Sequence, residues 1–346
     1  MTRRGTVDTP ETGQAIRLPP VTDQEKRYDV VGLGFAAADH LFVVEAYPPP
    51  GAKVRSVLRL SRPGGQVANA LVALSRWGCR VAYIGRLGTD GDAMMIKQWL
   101  DRAGVNRSAL LEIPQSLTHH AVVIVDRGSG ERTIIWNRDD SQYLRSTDVP
   151  QQLVQDCKVL HLDGHEVEAC LRAASWAKEA GARVVLDAED QAPGMDALIR
   201  LADVVIGSES FLQDFLGRRR SLRSTLKELS SLGPAVVGLT QGRKGAMVFS
   251  GGEFVRHPGY QVTAVDSTGA GDLFHAGFCL GLLQGWDLAT TLSYSSAAAA
   301  LGCLSLGASD GTASREQTRA FTMQAKPARR LRPLPGRQDK SSKRDL

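Results

Sequence analysis

Apolar residues in this chain come in short unbroken runs that alternate with stretches of helical spacing. The run at 28–34 (YDVVGLG) is almost wholly apolar and predicts a buried strand. Short strands are predicted at 41–44 and 53–58, on either side of the turn Tyr47-Pro48-Pro49-Pro50-Gly51. A helix starts after Gly64-Gly65 and runs through Ala68, Leu71, Val72, Leu74 and Trp77. A strand at 81–84 and a helix at 92–103 follow. Segments 118–126 and 133–137 pair as a hairpin across Arg127-Gly128-Ser129-Gly130. From about 157 the two periods alternate regularly. Strands fall at 159–162, 184–187, 204–206 and 235–239, and helices at 166–180, 208–217 and 221–232. Two long helices, at 270–284 and 287–303, close the pattern. Buried Val/Ile-rich strands alternating with helices predict an α/β fold: a doubly wound, mostly parallel sheet flanked by helices. The early hairpins fall outside that alternation and predict a small β-sheet lid, from about 41–62 and 118–138.

Composition narrows the class. With 346 residues, 42% of them hydrophobic, and 35 glycines, the chain suits a soluble α/β enzyme with a sizeable core. No run approaches the roughly 18 apolar residues of a membrane span, and residues 1–23 lack the apolar centre of a secretory leader. Cys79, Cys157, Cys170, Cys279 and Cys303 form no CxxC pair and read as reduced core residues, which predicts a cytoplasmic location. The net charge of +5 is concentrated at one end. Residues 325–346 hold eight Lys/Arg against Asp339 and Asp345, so the body is near neutral and nucleic acid is not expected as a partner. Residues 1–27 and the basic tail are expected to be disordered extensions.

Candidate chemistry centres on Val265-Asp266-Ser267-Thr268-Gly269-Ala270-Gly271-Asp272, where small residues precede a carboxylate and apolar helical sequence follows. A glycine turn at a helix start aims backbone N–H groups at one point, where the helix dipole also favours negative charge. A carboxylate beside such a hole would repel an anion, so its presence indicates a base. Asp272 would take a proton while Gly269, Ala270 and Gly271 hold a phosphoryl group. Gly64-Gly65-Gln66-Val67-Ala68-Asn69 is a second glycine turn. It is either a plain helix N-terminus or a polar floor on which Gln66 and Asn69 bind hydroxyls. Asp39, after small residues at a strand end, is either a turn cap or an acceptor for two hydroxyls. Thr240-Gln241-Gly242-Arg243-Lys244-Gly245 is a turn between strands whose small residues also let a nucleotide approach closely. Gly32-Leu33-Gly34-Phe35-Ala36-Ala37 matches G-x-G-x-x-A, but strand follows it and no acidic residue stands about 20 positions on, so dinucleotide binding is not expected. No G-x-x-x-x-G-K-[ST] occurs, which excludes a P-loop. His119-His120 has no Cys/His partner at metal-binding spacing and reads as structural.

In this order the motifs resemble the ribokinase-like (PfkB-type) carbohydrate kinases, over residues 28–313, with 314–346 as a C-terminal segment. The Gly64–Asn69 turn followed by Gly85-Arg86-Leu87-Gly88-Thr89-Asp90-Gly91-Asp92 is similar to the family's N-terminal signature. The run from Asp266 to Asp272 is similar to the highly specific C-terminal one, D-[ST]-T-G-A-G-D. The resemblance implies an ATP-dependent sugar kinase in which Asp272 takes the proton of a primary hydroxyl as it attacks the γ-phosphorus. Asp39, Gly65, Gln66 and Asn69 would hold the sugar. Gly242, Gly245, Thr268, Cys303 and Gly307 would hold the nucleotide, with Ala299 also beside the adenine. Mg²⁺ would accompany ATP, and a monovalent cation is left open. Where many members carry Asn-x-x-Glu, this chain has Ser208-Glu209-Ser210-Phe211, and Glu209 stands in as the candidate metal-linked carboxylate. Leu160–His165 and His275 resemble ketohexokinase and sulfofructose kinase sequences and imply a ketose. On the lid, Arg138 either recognises an anionic substituent or is a solvated edge residue. A lid pairing with a second copy would make a homodimer. A nucleoside kinase of the same fold and a non-catalytic binding protein are the competing readings.

Overall fold

The computed structural model describes residues 15–129, 131–216, 221–305, 307 and 312–324. In chain order the strands are β1 (Tyr28–Leu33), β2 (Ala37–Val44), β3 (Leu58–Gly64), β4 (Val81–Leu87), β5 (Asn106–Glu112), β6 (His120–Asp126), β7 (Arg132–Asn137), β8 (Cys157–Leu162), β9 (Arg183–Ala188), β10 (Val204–Ser208), β11 (Val236–Thr240), β12 (Ala246–Ser250) and β13 (Glu253–His257). The helices are α1 (Gln66–Arg76), α2 (Gly91–Ala103), α3 (Gln151–Gln155), α4 (Val167–Glu179), α5 (Met195–Leu201), α6 (Glu209–Leu216), α7 (Leu222–Ser231), α8 (Ala270–Leu283), α9 (Leu288–Gly302) and α10 (Arg315–Gln324).

The apolar runs become a nine-stranded sheet in the order β13-β12-β11-β10-β9-β8-β1-β4-β5. Strands β5 through β11 in that order run parallel, and β12 and β13 close one edge antiparallel. Apolar side chains leave both faces of the sheet. One face carries Val67, Leu71 and Leu74 of α1 with Phe274 and Phe278 of α8 and Leu292 of α9. The other carries Cys170 and Ala174 of α4, Leu198 of α5 and Leu226 of α7. Chain order reverses around β1, which has β4 on one side and β8 on the other. In open α/β sheets such a switch point, at the carboxyl ends of the strands, is where a crevice forms.

The predicted lid is a separate four-stranded sheet, β3-β2-β6-β7. Its strands differ from expectation at one edge. The strand predicted at 53–58 begins only at Leu58 and runs to Gly64, because β3 pairs antiparallel along β2 as far as Ala37↔Gly64. Pro63 hid this strand, yet β3 is an edge strand, where a missing N–H costs nothing. β2 likewise starts at Ala37, so Asp39 lies within the lid sheet rather than at the end of the buried strand. β5, α5 and α10 were not anticipated. Residues 15–27, expected as part of a disordered extension, instead run along the body. Leu18 is buried, the backbone of Arg17 forms an isolated antiparallel β-bridge with Asp287, and Leu288 N–H donates to Ile16 C=O. Polar neighbours masked these two anchoring apolar side chains. Residues 1–14 and the basic tail 325–346 lie outside the described residues.

Candidate active site

Two glycine turns meet at the switch point. Gly65 caps the N-terminus of α1 at φ 107°, and a methyl group there would stand 2.4 Å from Phe35 C=O. Only glycine lets α1 begin this close to the backbone leaving β1. Gly269 caps α8 in the left-handed region, at φ 74°, which turns the chain sharply into Ala270, Gly271 and Asp272. Space beside Gly271 is open. Ala270 N–H makes a long 3.3 Å bond to Ser267 C=O. The two turns are joined by their polar side chains, since Asn69 Nδ2 donates to Asp272 Oδ2 at 2.6 Å. Asp272 is buried. Burial first, and then the negative charge of Asp187, push its carboxyl up to about 7, while the Asn69 bond acts in the opposite direction. A carboxyl group poised near neutrality is matched to general-base work.

A carboxylate and imidazole network forms the floor beside it. Gln66 Nε2 donates to Glu189 Oε2 at 2.6 Å and lies 3.5 Å from Asp187 Oδ2. Both carboxylates only accept, so the amide nitrogen faces them and Oε1 accepts from His165 Nε2 at 2.7 Å. Asp187, the penultimate residue of β9, is 3.1 Å from His275 Nε2. Burial alone would raise Asp187, but the charge and hydrogen bond of His275 hold it below the usual carboxylate range. His275 stacks on His161, whose imidazole burial drives down to about 4. Asp163, at the end of β8, accepts from Phe35 N–H at 3.0 Å, and burial pushes it up to about 7.

On the other side of α8, the loop before Gly269 is stapled by Asp266. Its carboxylate accepts from Thr268 N–H, Thr268 Oγ1 and Gly307 N–H at 2.8–2.9 Å. Cys303 C=O accepts from Val265 N–H at 2.8 Å. Thr268, Cys303 and Gly307, predicted together from sequence, therefore converge on one loop. Arg132 of the lid donates Nη1 to Thr268 Oγ1 at 2.9 Å. Asp39 lies over Gly64, where a methyl would come within 2.8 Å of Oδ2. Burial and the charge of Asp266 raise its carboxyl. A cavity of about 890 Å³ opens between the apolar underside of the lid, including Leu41, Leu60 and Val123, and residues 264–268. Farther out, Gly242 and Gly245 flank the short turn after β11. Gln241 Nε2 in that turn donates to Glu209 Oε2 at 3.0 Å.

The model for "pfkB family carbohydrate kinase" matches residues 30–315. The chain belongs to the pfkB family of carbohydrate kinases. Its enzymes are phosphotransferases with an alcohol group as acceptor. Ribokinase from Haemophilus influenzae is 28% identical over 297 residues, covering 84% of this chain and 96% of the relative. Nucleoside kinase from Methanothermobacter thermautotrophicus is 23% identical over 282 residues (78% and 88%). 5-dehydro-2-deoxygluconokinase from Shouchella clausii is 27% identical over 296 residues (80% and 90%). Among solved structures, Arabidopsis thaliana ribokinase complexed with ribose and ATP superposes with a TM-score of 0.73 at 23% identity, over 85% of this chain and 98% of that one. Ribokinase from Thermotoga maritima does so at 0.75 and 23%, over 86% and 99%.

In this kinase Arg138 is neither a free anion-recognising side chain nor a solvated edge residue, the two readings the sequence left open. Its Nη2 is paired with Glu166 Oε1 and also donates to Gln142 C=O, and its guanidinium stacks 4.1 Å over the Tyr143 ring. Both members of the pair are buried. The two expectations for it, anion recognition and solvation, are both replaced by a buried tie between the lid's last strand and the start of α4. His119 is structural, packed between Phe35 and Trp136 and held neutral by burial. Sequence reasoning passed over Asp187, Glu189, Asp163 and the role of His165. All four lie at or just past the carboxyl ends of β8 and β9, and the predicted strand at 184–187 already ended on Asp187. The rule that parallel strands present ligand groups at those ends would have found them.

Proposed function

We propose that this kinase transfers the γ-phosphoryl group of ATP to a primary hydroxyl of a sugar, with Asp272 as general base. The observation that carries this reading is a buried carboxyl, raised to about 7 and held by Asn69, set in the first turn of a helix whose glycine cap leaves N–H groups at its mouth. The acceptor hydroxyl would lose its proton to Asp272 while Gly269, Ala270 and Gly271 stabilise charge on the transferring group. Asp39, Gly65 and Gln66 would hold the sugar beneath the lid, and Gly242, Gly245, Thr268, Cys303 and Gly307 the nucleotide. The Arabidopsis ribokinase complex with ATP supports the donor.

Mg²⁺ would neutralise charge on the triphosphate. Among the described residues no group of three or more His, Cys, Asp or Glu is arranged to hold a metal. That fits an ion carried chiefly by phosphate and water, with Glu209 as the nearby carboxylate at the nucleotide turn. A ketose acceptor rests on residues 160–165 and His275 alone. A nucleoside acceptor is the second reading, favoured by the Methanothermobacter relative. Free cysteines support a cytoplasmic enzyme.

The test is turnover of Asp272→Asn on a panel of pentoses, ketohexoses and nucleosides. Loss of a general base should lower kcat by about 10²–10⁴-fold, with ATP affinity retained in calorimetric titration. Near-normal turnover by the variant would overturn the assigned mechanism. The panel itself separates sugar from nucleoside.

A further inference from the structure

A sugar presented to this site can be neutral or can carry a carboxylate or phosphate, and the charged groups around the floor bear on which. Two arginines near the site are already engaged. Arg138 is buried against Glu166, and Arg132 rests on Thr268, 3.6 Å from Asp266. Burial holds His119 and His161 near a pKa of about 4, so neither supplies positive charge at neutral pH. The carboxylates are distributed differently. Asp187 is buried and paired with His275, and Asp272 is buried against Asn69. Glu189 differs from both, because water reaches it. Among the described residues it accepts from Gln66 Nε2, at 2.6 Å onto Oε2. The same Gln66 amide lies 3.5 Å from Asp187, whose partner His275 stands on α8 one turn after Asp272, so Glu189 belongs to the floor beside the base.

We propose that Glu189 is a specificity-determining residue of the acceptor pocket, selecting uncharged polyhydroxy acceptors and turning away those that bear a carboxylate or phosphate. The proposal rests on the reading of this pocket as the acceptor site of a kinase. A carboxylate accepts hydrogen bonds from sugar hydroxyls, which are donors, and meets an anionic substituent with like-charge repulsion. Gln66 is its positioning residue. With Oε1 engaged by His165, the amide cannot rotate to offer its oxygen to Glu189, so the carboxylate is held beside Gln66 by a fixed donor.

The experiment compares the full chain with Glu189→Gln and Glu189→Arg, using D-ribose and D-fructose as neutral acceptors and D-gluconate and D-fructose 6-phosphate as anionic ones. Binding by calorimetry and phosphorylation with ATP are read separately, and thermal melting confirms that each variant is folded. The wild type is expected to bind and phosphorylate a neutral acceptor with kcat/KM roughly tenfold or more above either anion. Glu189→Arg should shift that ratio toward the anions by roughly tenfold, through KM rather than kcat, and Glu189→Gln by less in the same direction. A wild type that prefers an anionic acceptor, a charge preference unmoved in both variants, or no binding of either neutral sugar overturns the proposal. If turnover is absent throughout but binding shows the Glu189-dependent preference, the kinase assignment fails and the selectivity stands. If turnover is normal and the ratio does not move, the reverse holds.

Discussion

Asp272 shows how much of the chemistry is set by neighbours rather than by the residue itself. Its carboxyl stands at about 7 because it is buried and because Asp187 and Glu189 place negative charge near it. Asn69 and His275 pull the other way. A base works when deprotonated, so kcat/KM should rise with pH through about 7 and fall away on the acid side. Asp187→Asn removes one raising charge while keeping a hydrogen-bonding side chain, so the acid limb should move to lower pH. A pH–rate profile that stays put in this variant would show that Asp187 does not act on the base. The glycine turn and its carboxylate were legible in sequence because they are contiguous. Asp187 and Glu189 were not, since their meaning depends on which elements become neighbours, and Asp187 and Gln66 come within 3.5 Å across 121 positions of sequence.

At the scale of elements, the site depends on how closely α1 can approach β1. Gly65 holds that approach open. Gly65→Ala would force a methyl into Phe35 C=O and strain a backbone at φ 107°, which should cost about 2 kcal/mol or more in chemical unfolding. The lid is attached more lightly. Arg132 is an exposed residue whose contact with Thr268 and Asp266 joins β7 to the loop before α8. Exposed pairs contribute about 1 kcal/mol or less. Arg132→Ala should therefore change the melting temperature by about 2 °C or less while speeding amide hydrogen exchange over 132–137. Regular strands and long helices were readable from periodicity. β5 and α5 were not, because β5 alternates only weakly at the sheet edge and α5 is seven residues long. β3 was displaced because turn-like Pro and Gly sit inside it.

For the molecule as a whole, the lid leaves an edge open. Every residue of β7 is exposed, including Ile134, Ile135 and Trp136 in succession. An apolar, unpaired edge of this kind invites a further strand. A second copy of the chain pairing there would double the mass seen in light scattering, and Trp136→Glu would return it to that of one chain. The fold class itself was legible early, because α/β alternation survives local errors in boundaries. The closing bond between Asn69 and Asp272 joins positions 203 residues apart. On a ribosome adding about 5–20 residues per second, α1 would wait roughly 10–40 s before α8 emerges to cover it. For that interval Val67, Leu71 and Leu74 lack the helix that finally buries them. The nascent chain is therefore a natural client for chaperones, and catalytic competence arrives only once α8 has been made.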